Sequence, residues 1–191
     1  MNRRKAIAGI LLLGGAAAAG TAGVTYRRLS RTPDLGQLDT HRELIAELAE
    51  TLIPETDTPG AKSAGVGDCI ITLVKDCTPK KAQNRFINGL LDVADHCRSK
   101  YGKTFMECNA SQRSEVMTHI EKQGKPLPGI LGKVSGKIMG DDFYATFKKY
   151  AIIGYCTSQQ GATKEMAYEY IPGRFKGCVP LQPGQKCWAT D

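Results

Sequence analysis

The strongest constraint on the fold is the spacing of apolar residues between positions 40 and 157. Apolar side chains recur there every three or four residues, and no segment alternates apolar and polar residues for long. Such spacing places apolar side chains on one face of an α-helix. The sequence therefore predicts an all-α domain of five or six helices, at about 40–53, 66–76, 78–101, 111–124 and 141–157, with a short sixth at 163–169.

Capping residues and helix breakers indicate where these helices begin and end. Thr40 and Glu43 have the spacing of a capping box, and the adjacent Asp141 and Asp142 are expected to cap the fifth helix, where negative charge interacts favourably with the helix dipole. Gly102 is expected to end the third helix. Six prolines and glycines within residues 170–191 predict a long irregular C-terminal tail.

The net charge of +7 comes from the N-terminal segment and not from the domain. Six of the 26 basic residues precede Asp34, the first acidic residue, so that the remaining chain has 20 basic and 19 acidic side chains. Binding of nucleic acid requires a basic patch on the folded domain itself. We therefore expect no nucleic-acid partner.

The N-terminal segment has the layout of an export signal. Arg3 and Arg4 precede an uncharged run, Ala6 to Val24, that is rich in alanine and glycine. A paired arginine before a mildly apolar run is typical of the twin-arginine export route. A general secretory signal and an uncleaved membrane anchor are the alternatives. The predicted organisation is a signal or anchor at 1–25, a linker at 26–38 and a helical domain at 39–191.

Export would place the seven cysteines in an oxidising compartment, where disulfide bonds persist. Because seven is odd, at least one cysteine cannot pair within the chain. Cys178 and Cys187 flank a short loop and are the predicted local pair. Two further bonds are expected among four other cysteines, namely Cys69, Cys77, Cys97 and Cys108. Cys156 is then the predicted unpaired cysteine, as a free interface thiol, a covalent link to another chain, or an inert buried side chain.

No motif in the sequence marks a catalytic or cofactor site. The cysteines form no Cys-x-x-Cys pair, and no Gly-x-Gly-x-x-Gly motif is present. The segment 132–138 departs from a phosphate-binding loop in its glycine spacing and in its final residue. His96 is followed by Cys97, but no third group marks them as a nucleophile pair. We therefore predict that this chain holds no catalytic residue, metal ion or cofactor.

Two strings carry a resemblance to a known family. Residues 52–61 read Leu-Ile-Pro-Glu-Thr-Asp-Thr-Pro-Gly-Ala, and residues 155–163 read Tyr-Cys-Thr-Ser-Gln-Gln-Gly-Ala-Thr. With the twin-arginine leader, they resemble the gluconate 2-dehydrogenase subunit 3 family. The resemblance covers about residues 40–180, and the first string is the more specific of the two. Cys156 stands where the family usually has an aromatic residue.

The resemblance implies a non-catalytic small subunit. In such complexes a large subunit holds FAD, a multihaem cytochrome c subunit passes electrons to the membrane, and the small subunit aids maturation and export of the large one. The expected location is the periplasm, at the inner membrane, through the complex or an uncleaved leader. The twin-arginine translocase is a further expected partner. The alternatives are a membrane-anchored structural protein and a free-standing periplasmic enzyme.

The two strings also supply the predicted partner interface. The first string is expected to form a rigid turn, because prolines fix the backbone and Gly60 permits a tight bend. Asp57 is expected to bind local backbone amides within this turn. The predicted interface residues are Pro54, Asp57, Pro59, Gly60, Cys156, Thr157, Ser158 and Gly161.

Overall fold

The computed structural model describes residues 23–24, 27–124, 141–167, 170–171, 173, 177–178 and 180–189. Within these ranges the chain is helical and has no β-strand, which confirms the all-α prediction. The α-helices are α1 (Gly36–Thr40), α2 (Arg42–Leu52), α3 (Val66–Cys77), α4 (Lys80–Tyr101), α5 (Ala110–Gly124) and α6 (Phe143–Thr157). A 3₁₀ turn spans Phe105–Glu107, and a π-helical turn spans Gly161–Glu165 where the sequence predicts a short sixth helix.

Helix α6 lies at the centre of the bundle and contacts α3, α4 and α5. Its inner face is apolar and packs into a single core with the apolar faces of the surrounding helices. Three phenylalanines fill the contact between α4 and α6, with Phe86 edge-on to Phe143 at a centroid distance of 5.1 Å and Phe147 close to both.

The helix boundaries agree with the predictions in some places and differ in others. Asp142 caps α6, since its carboxylate accepts a hydrogen bond from Tyr144 N at 3.0 Å. Gly102 ends α4 in the left-handed conformation, with a φ of 66°. The capping box predicted at Thr40 is wrong, because Thr40 is the last residue of the unpredicted helix α1 and its hydroxyl donates to Gly36 O.

The segment predicted as a linker, residues 26–38, contacts the helical body. The side chains of Leu29 and Leu38 are buried. The side-chain amide of Asn84, on α4, donates to the carbonyl oxygens of Leu29 and Arg31 at 3.0 and 2.8 Å. Residues before the first predicted helix are therefore already packed against the helical bundle.

Candidate partner interface

The turn between α2 and α3 is ordered by the carboxylate of Glu50. This carboxylate accepts hydrogen bonds from the backbone amides of Glu55 at 2.9 Å and Lys62 at 2.8 Å, so it ties together both sides of the turn. Within the turn, Thr56 N donates to Thr58 O at 3.0 Å, and Ala61 N closes it by donating to Ile53 O at 2.9 Å. The turn is thus built around an acidic side chain from the preceding helix.

Glu50 performs the amide-binding role that the sequence suggested for Asp57. Asp57 and Pro54 are exposed, and the Asp57 carboxylate accepts a hydrogen bond from the Thr56 hydroxyl at 3.0 Å. One signal could have identified Glu50. It lies in the last turn of α2, where a negative charge is unfavourable to the helix dipole unless another group binds it.

Glycine is required at position 60 because the backbone there lies very close to neighbouring atoms, and not because its backbone angles are unusual. It is buried, and its φ lies outside the positive region that Gly65, Gly102 and Gly184 occupy. A Cβ atom at this position would lie 2.4 Å from Glu50 Oε1 and 2.7 Å from Glu55 N. Only glycine lets the backbone come this close to the carboxylate that organises the turn.

A second carboxylate holds the end of this turn to the rest of the bundle. Glu47, on α2, forms ion pairs with Lys62 and with Arg113, the latter at 2.8 Å. The neighbouring Lys62 ammonium and the Arg113 guanidinium hold the pKa of Glu47 below its usual range. Glu47 is therefore ionised at neutral pH and joins α2, the turn and α5.

The second string forms a turn at the C-terminal end of α6. The Ser158 hydroxyl donates to Tyr155 O at 2.7 Å and accepts from Gly161 N at 3.0 Å. Gly161 is buried, and a Cβ there would lie 2.0 Å from Tyr155 O. The Thr157 hydroxyl donates back to Ile153 O at 2.7 Å. Ser158, Gly161 and Thr157 therefore shape the helix end, which is a structural role.

The two strings meet in space, although they lie about a hundred residues apart. The Tyr155 hydroxyl donates to Pro59 O at 2.7 Å, across a sequence separation of 96 residues. Burial raises the pKa of the Tyr155 phenol, so this side chain remains a neutral donor. The sequence predicted that both strings belong to one interface, but no local pattern could have revealed this hydrogen bond between them. The turn after α2 and the end of α6 therefore form one continuous surface.

The outer face of α6 adds exposed apolar side chains to this surface. Ile152 and Ile153 are 45% and 39% exposed, and Cys156 is half-buried one turn further on. Lys148 and Lys149 are exposed one turn earlier. A surface helix usually has one apolar face, which packs on the core, whereas α6 also carries apolar residues on the face that points outward. Adjacent exposed apolar side chains of this kind are typical of protein contact sites.

A separate cleft lies between α4, α5 and the start of α6. It has a volume of about 550 Å³ and is lined by Arg85, Asp92 and Asp142 among others. His96 and His119 stack at its wall with ring centroids 4.0 Å apart, and burial lowers the pKa of His96. Across the described ranges, no cluster of histidine, cysteine or acidic residues could hold a metal ion.

The remaining predicted site residues lie in the tail and in the leader. Cys178 and Cys187 are exposed, and all seven cysteines carry thiols in the structure, so the predicted tail disulfide stays a prediction. The tail returns to the body through Ala167, whose amide donates to Cys187 O at 2.8 Å. Arg3 and Arg4 lie outside the described residues. Among the helices that the structure does describe, none has the length and apolarity to cross a bilayer.

Comparison with known proteins agrees with the two strings. Residues 39–173 match the family described as gluconate 2-dehydrogenase subunit 3, over more than two thirds of the chain. No curated protein and no solved structure matches the chain. The matched range begins within α1 and ends beyond the π-helical turn, so it contains helices α2 to α6 and both strings. The chain therefore belongs to the gluconate 2-dehydrogenase subunit 3 family.

Proposed function

We propose that this chain is a non-catalytic accessory subunit of a flavin-dependent dehydrogenase complex. It binds a large FAD-containing subunit, aids its maturation and carries it to the periplasm by the twin-arginine route. A multihaem cytochrome c subunit completes the complex at the inner membrane. The observation that supports this proposal most is the surface where the two strings meet, next to the exposed isoleucines of α6.

The composition of this surface suits a stable protein contact. Interface centres are apolar and depleted in charge, and polar residues surround them. Ile152 and Ile153 form the apolar centre of this surface, and Lys148 and Lys149 form a basic edge. The turn that Glu50 orders forms a rigid border beside them. We therefore expect the partner to present an apolar patch with acidic residues on the side that faces the lysines.

A charge-insertion experiment tests the interface. The double substitution Ile152→Glu and Ile153→Glu is expected to weaken association with the large subunit about 100-fold or more, because it places two carboxylates at the apolar centre of the contact. Leu91→Glu is the matched control, since Leu91 is 39% exposed on α4 and lies outside the proposed surface. The measurement is the amount of large subunit that copurifies with the tagged chain, together with the melting temperature of each variant.

The outcomes of this experiment separate the alternatives. Equal copurification of the Ile152/Ile153 variant and the wild type would contradict the proposed surface, provided that both melt alike. The same preparations report on Cys156, which lies beside the isoleucines. A two-subunit band in non-reducing electrophoresis that is lost in Cys156→Ser would support a covalent link, and separate bands would exclude one.

Export has its own test. Replacing Arg3 and Arg4 by lysine is expected to abolish appearance of the complex in the periplasm, because the twin-arginine route depends on the paired guanidinium groups. The measurement is dehydrogenase activity and the amount of both subunits in periplasmic and cytoplasmic fractions. Lys5→Arg is the control, since it retains the pair. Undiminished periplasmic activity in the double-lysine variant would contradict export through this leader.

A further inference from the structure

Two histidines from neighbouring helices stack on each other at the cleft between α4 and α5. The rings of His96, on α4, and His119, on α5, are inclined by only 14°, and their centroids are 4.0 Å apart. Both side chains are half-buried. The chain has three histidines, so two of the three meet in this one contact between helices.

The hydrogen bonds around the pair require both imidazoles to be neutral. Gln123 Nε2 lies 2.8 Å from His119 Nε2. An amide nitrogen can only donate, so this nitrogen of His119 accepts and carries no proton. A charged His96 would carry a proton on both ring nitrogens, but its Nε2 is buried and has no hydrogen-bond partner in the described part of the chain. A charge on either ring would therefore leave a donor without an acceptor, which is costly in a buried position.

The charged groups around the pair offer little compensation for an added proton. Within the described ranges, neither ring forms an ion pair with a carboxylate. Two of the nearby acidic side chains already pair with basic ones, Asp142 with Arg85 and Glu115 with Lys100. The others are exposed, so that solvent screens their charge. The charged groups that line the surrounding surface are Arg85, Asp92, Asp95 and Lys100 on α4, Glu115 and Lys122 on α5, and Asp142 before α6.

We propose that the His96–His119 pair is a pH-sensitive contact that holds α5 against α4 at neutral pH and releases it on mild acidification. A proton taken up from solvent by His119 faces the donating amide of Gln123, and one taken up by His96 is buried without an acceptor. Repulsion between like charges at this distance opposes a second proton on the pair. The proposal concerns the packing of the bundle and does not require the proposed partner.

The direction of the pH effect follows from the pKa of His96. Burial, with smaller effects of His119 and Lys100, lowers this pKa in the folded protein. The unfolded chain, in which a histidine has a pKa of about 6.5, therefore binds the proton more readily. The stability that the neutral ring contributes is complete above about pH 6.5 and is lost as the pH falls below it. Asp92 acts in the opposite direction, because burial and Asp95 raise its pKa, and stability linked to a raised carboxyl pKa is lost as the pH rises.

Melting temperatures of the full-length chain at about pH 7.5 and about pH 5.5, at constant ionic strength, test the pair. We expect the wild type to melt about 3 °C or more lower at the acidic pH. His96→Phe retains a ring in the stack, and His96→Gln retains a polar group, but neither can take up a proton, so each should lose at least half of this difference. His41→Gln is the matched control and should keep it, since His41 precedes α2 and lies outside the cleft. No difference in the wild type, or a loss of less than half in both His96 variants, would overturn the proposal.

Amide hydrogen exchange of the full-length chain shows where the bundle loosens. After correction for the intrinsic effect of pH on exchange, the amides of α5 are expected to lose about tenfold protection between the two pH values. The amides of α3, which does not line the cleft, should change by much less. His96→Phe should keep the protection of α5 at the acidic pH. Unchanged protection of α5, or an equal loss in α5 and α3, would contradict the release of α5.

Discussion

Glu50→Gln is expected to lower the free energy of unfolding by about 2 kcal/mol and to reduce the yield of the complex at least several-fold. The carboxylate accepts from two backbone amides on opposite sides of the turn after α2. Hydrogen bonds to a charged acceptor each contribute about 1.5–3 kcal/mol, and partial exposure of Glu50 lowers that contribution. A glutamine side chain offers one oxygen, so its NH₂ group must face the second amide.

Two further variants distinguish the turn from the surrounding surface. Gly60→Ala should have the same consequences as Glu50→Gln, because the added methyl group displaces the same carboxylate. Asp57→Asn is the control and should change stability by less than about 0.5 kcal/mol, since Asp57 is exposed. The measurements are urea unfolding of the isolated chain and copurification of the large subunit. Unchanged stability in both Glu50→Gln and Gly60→Ala would contradict the role assigned to Glu50.

Gly89→Leu is expected to cost about 3 kcal/mol or more, which is the largest loss of stability among these variants. Gly89 lies on α4 against α6, and a Cβ there would lie 2.2–2.7 Å from atoms of Phe143. Helix propensity favours leucine by about 1 kcal/mol, but the ring of Phe143 is packed against Phe86 and cannot move away freely. Overpacking of a dense core therefore dominates.

Thermal and urea unfolding measure this effect. Asn88→Leu is the matched control, because Asn88 is the preceding residue on α4 and is exposed. The control should unfold at a urea concentration close to that of the wild type. If Gly89→Leu unfolded together with the control, the close packing of α4 on α6 would not hold in solution.

The helices could be predicted from the sequence because their cause is local. The three-to-four spacing of apolar residues identified all five long helices within a few residues, and Asp142 and Gly102 marked two ends correctly. The capping box at Thr40 was wrong because the threonine hydroxyl instead bonds within the unpredicted short helix α1. A polar side chain near a helix end has several local acceptors, and the sequence does not indicate which one it binds.

The candidate interface could be predicted only in part. The two strings were identified by resemblance, but their contact through Tyr155 and Pro59 depends on how α3 and α6 pack, which no local pattern encodes. Glu50 was missed because backbone amides, its partners, carry no sequence signature, which leaves its position in the last turn of α2 as the signal that could have identified it.

The attachment of residues 29–31 to Asn84 limits how far the bundle can move from its leader. Four residues lie between Val24, the last residue of the apolar run, and the buried Leu29, so five Cα–Cα steps connect them. A fully extended chain spans at most about 3.6 Å per residue, so this tether reaches no more than about 18 Å. If the leader remains in the bilayer, the start of α4 must stay near the membrane surface. An uncleaved leader would then set the orientation of the subunit as well as its location.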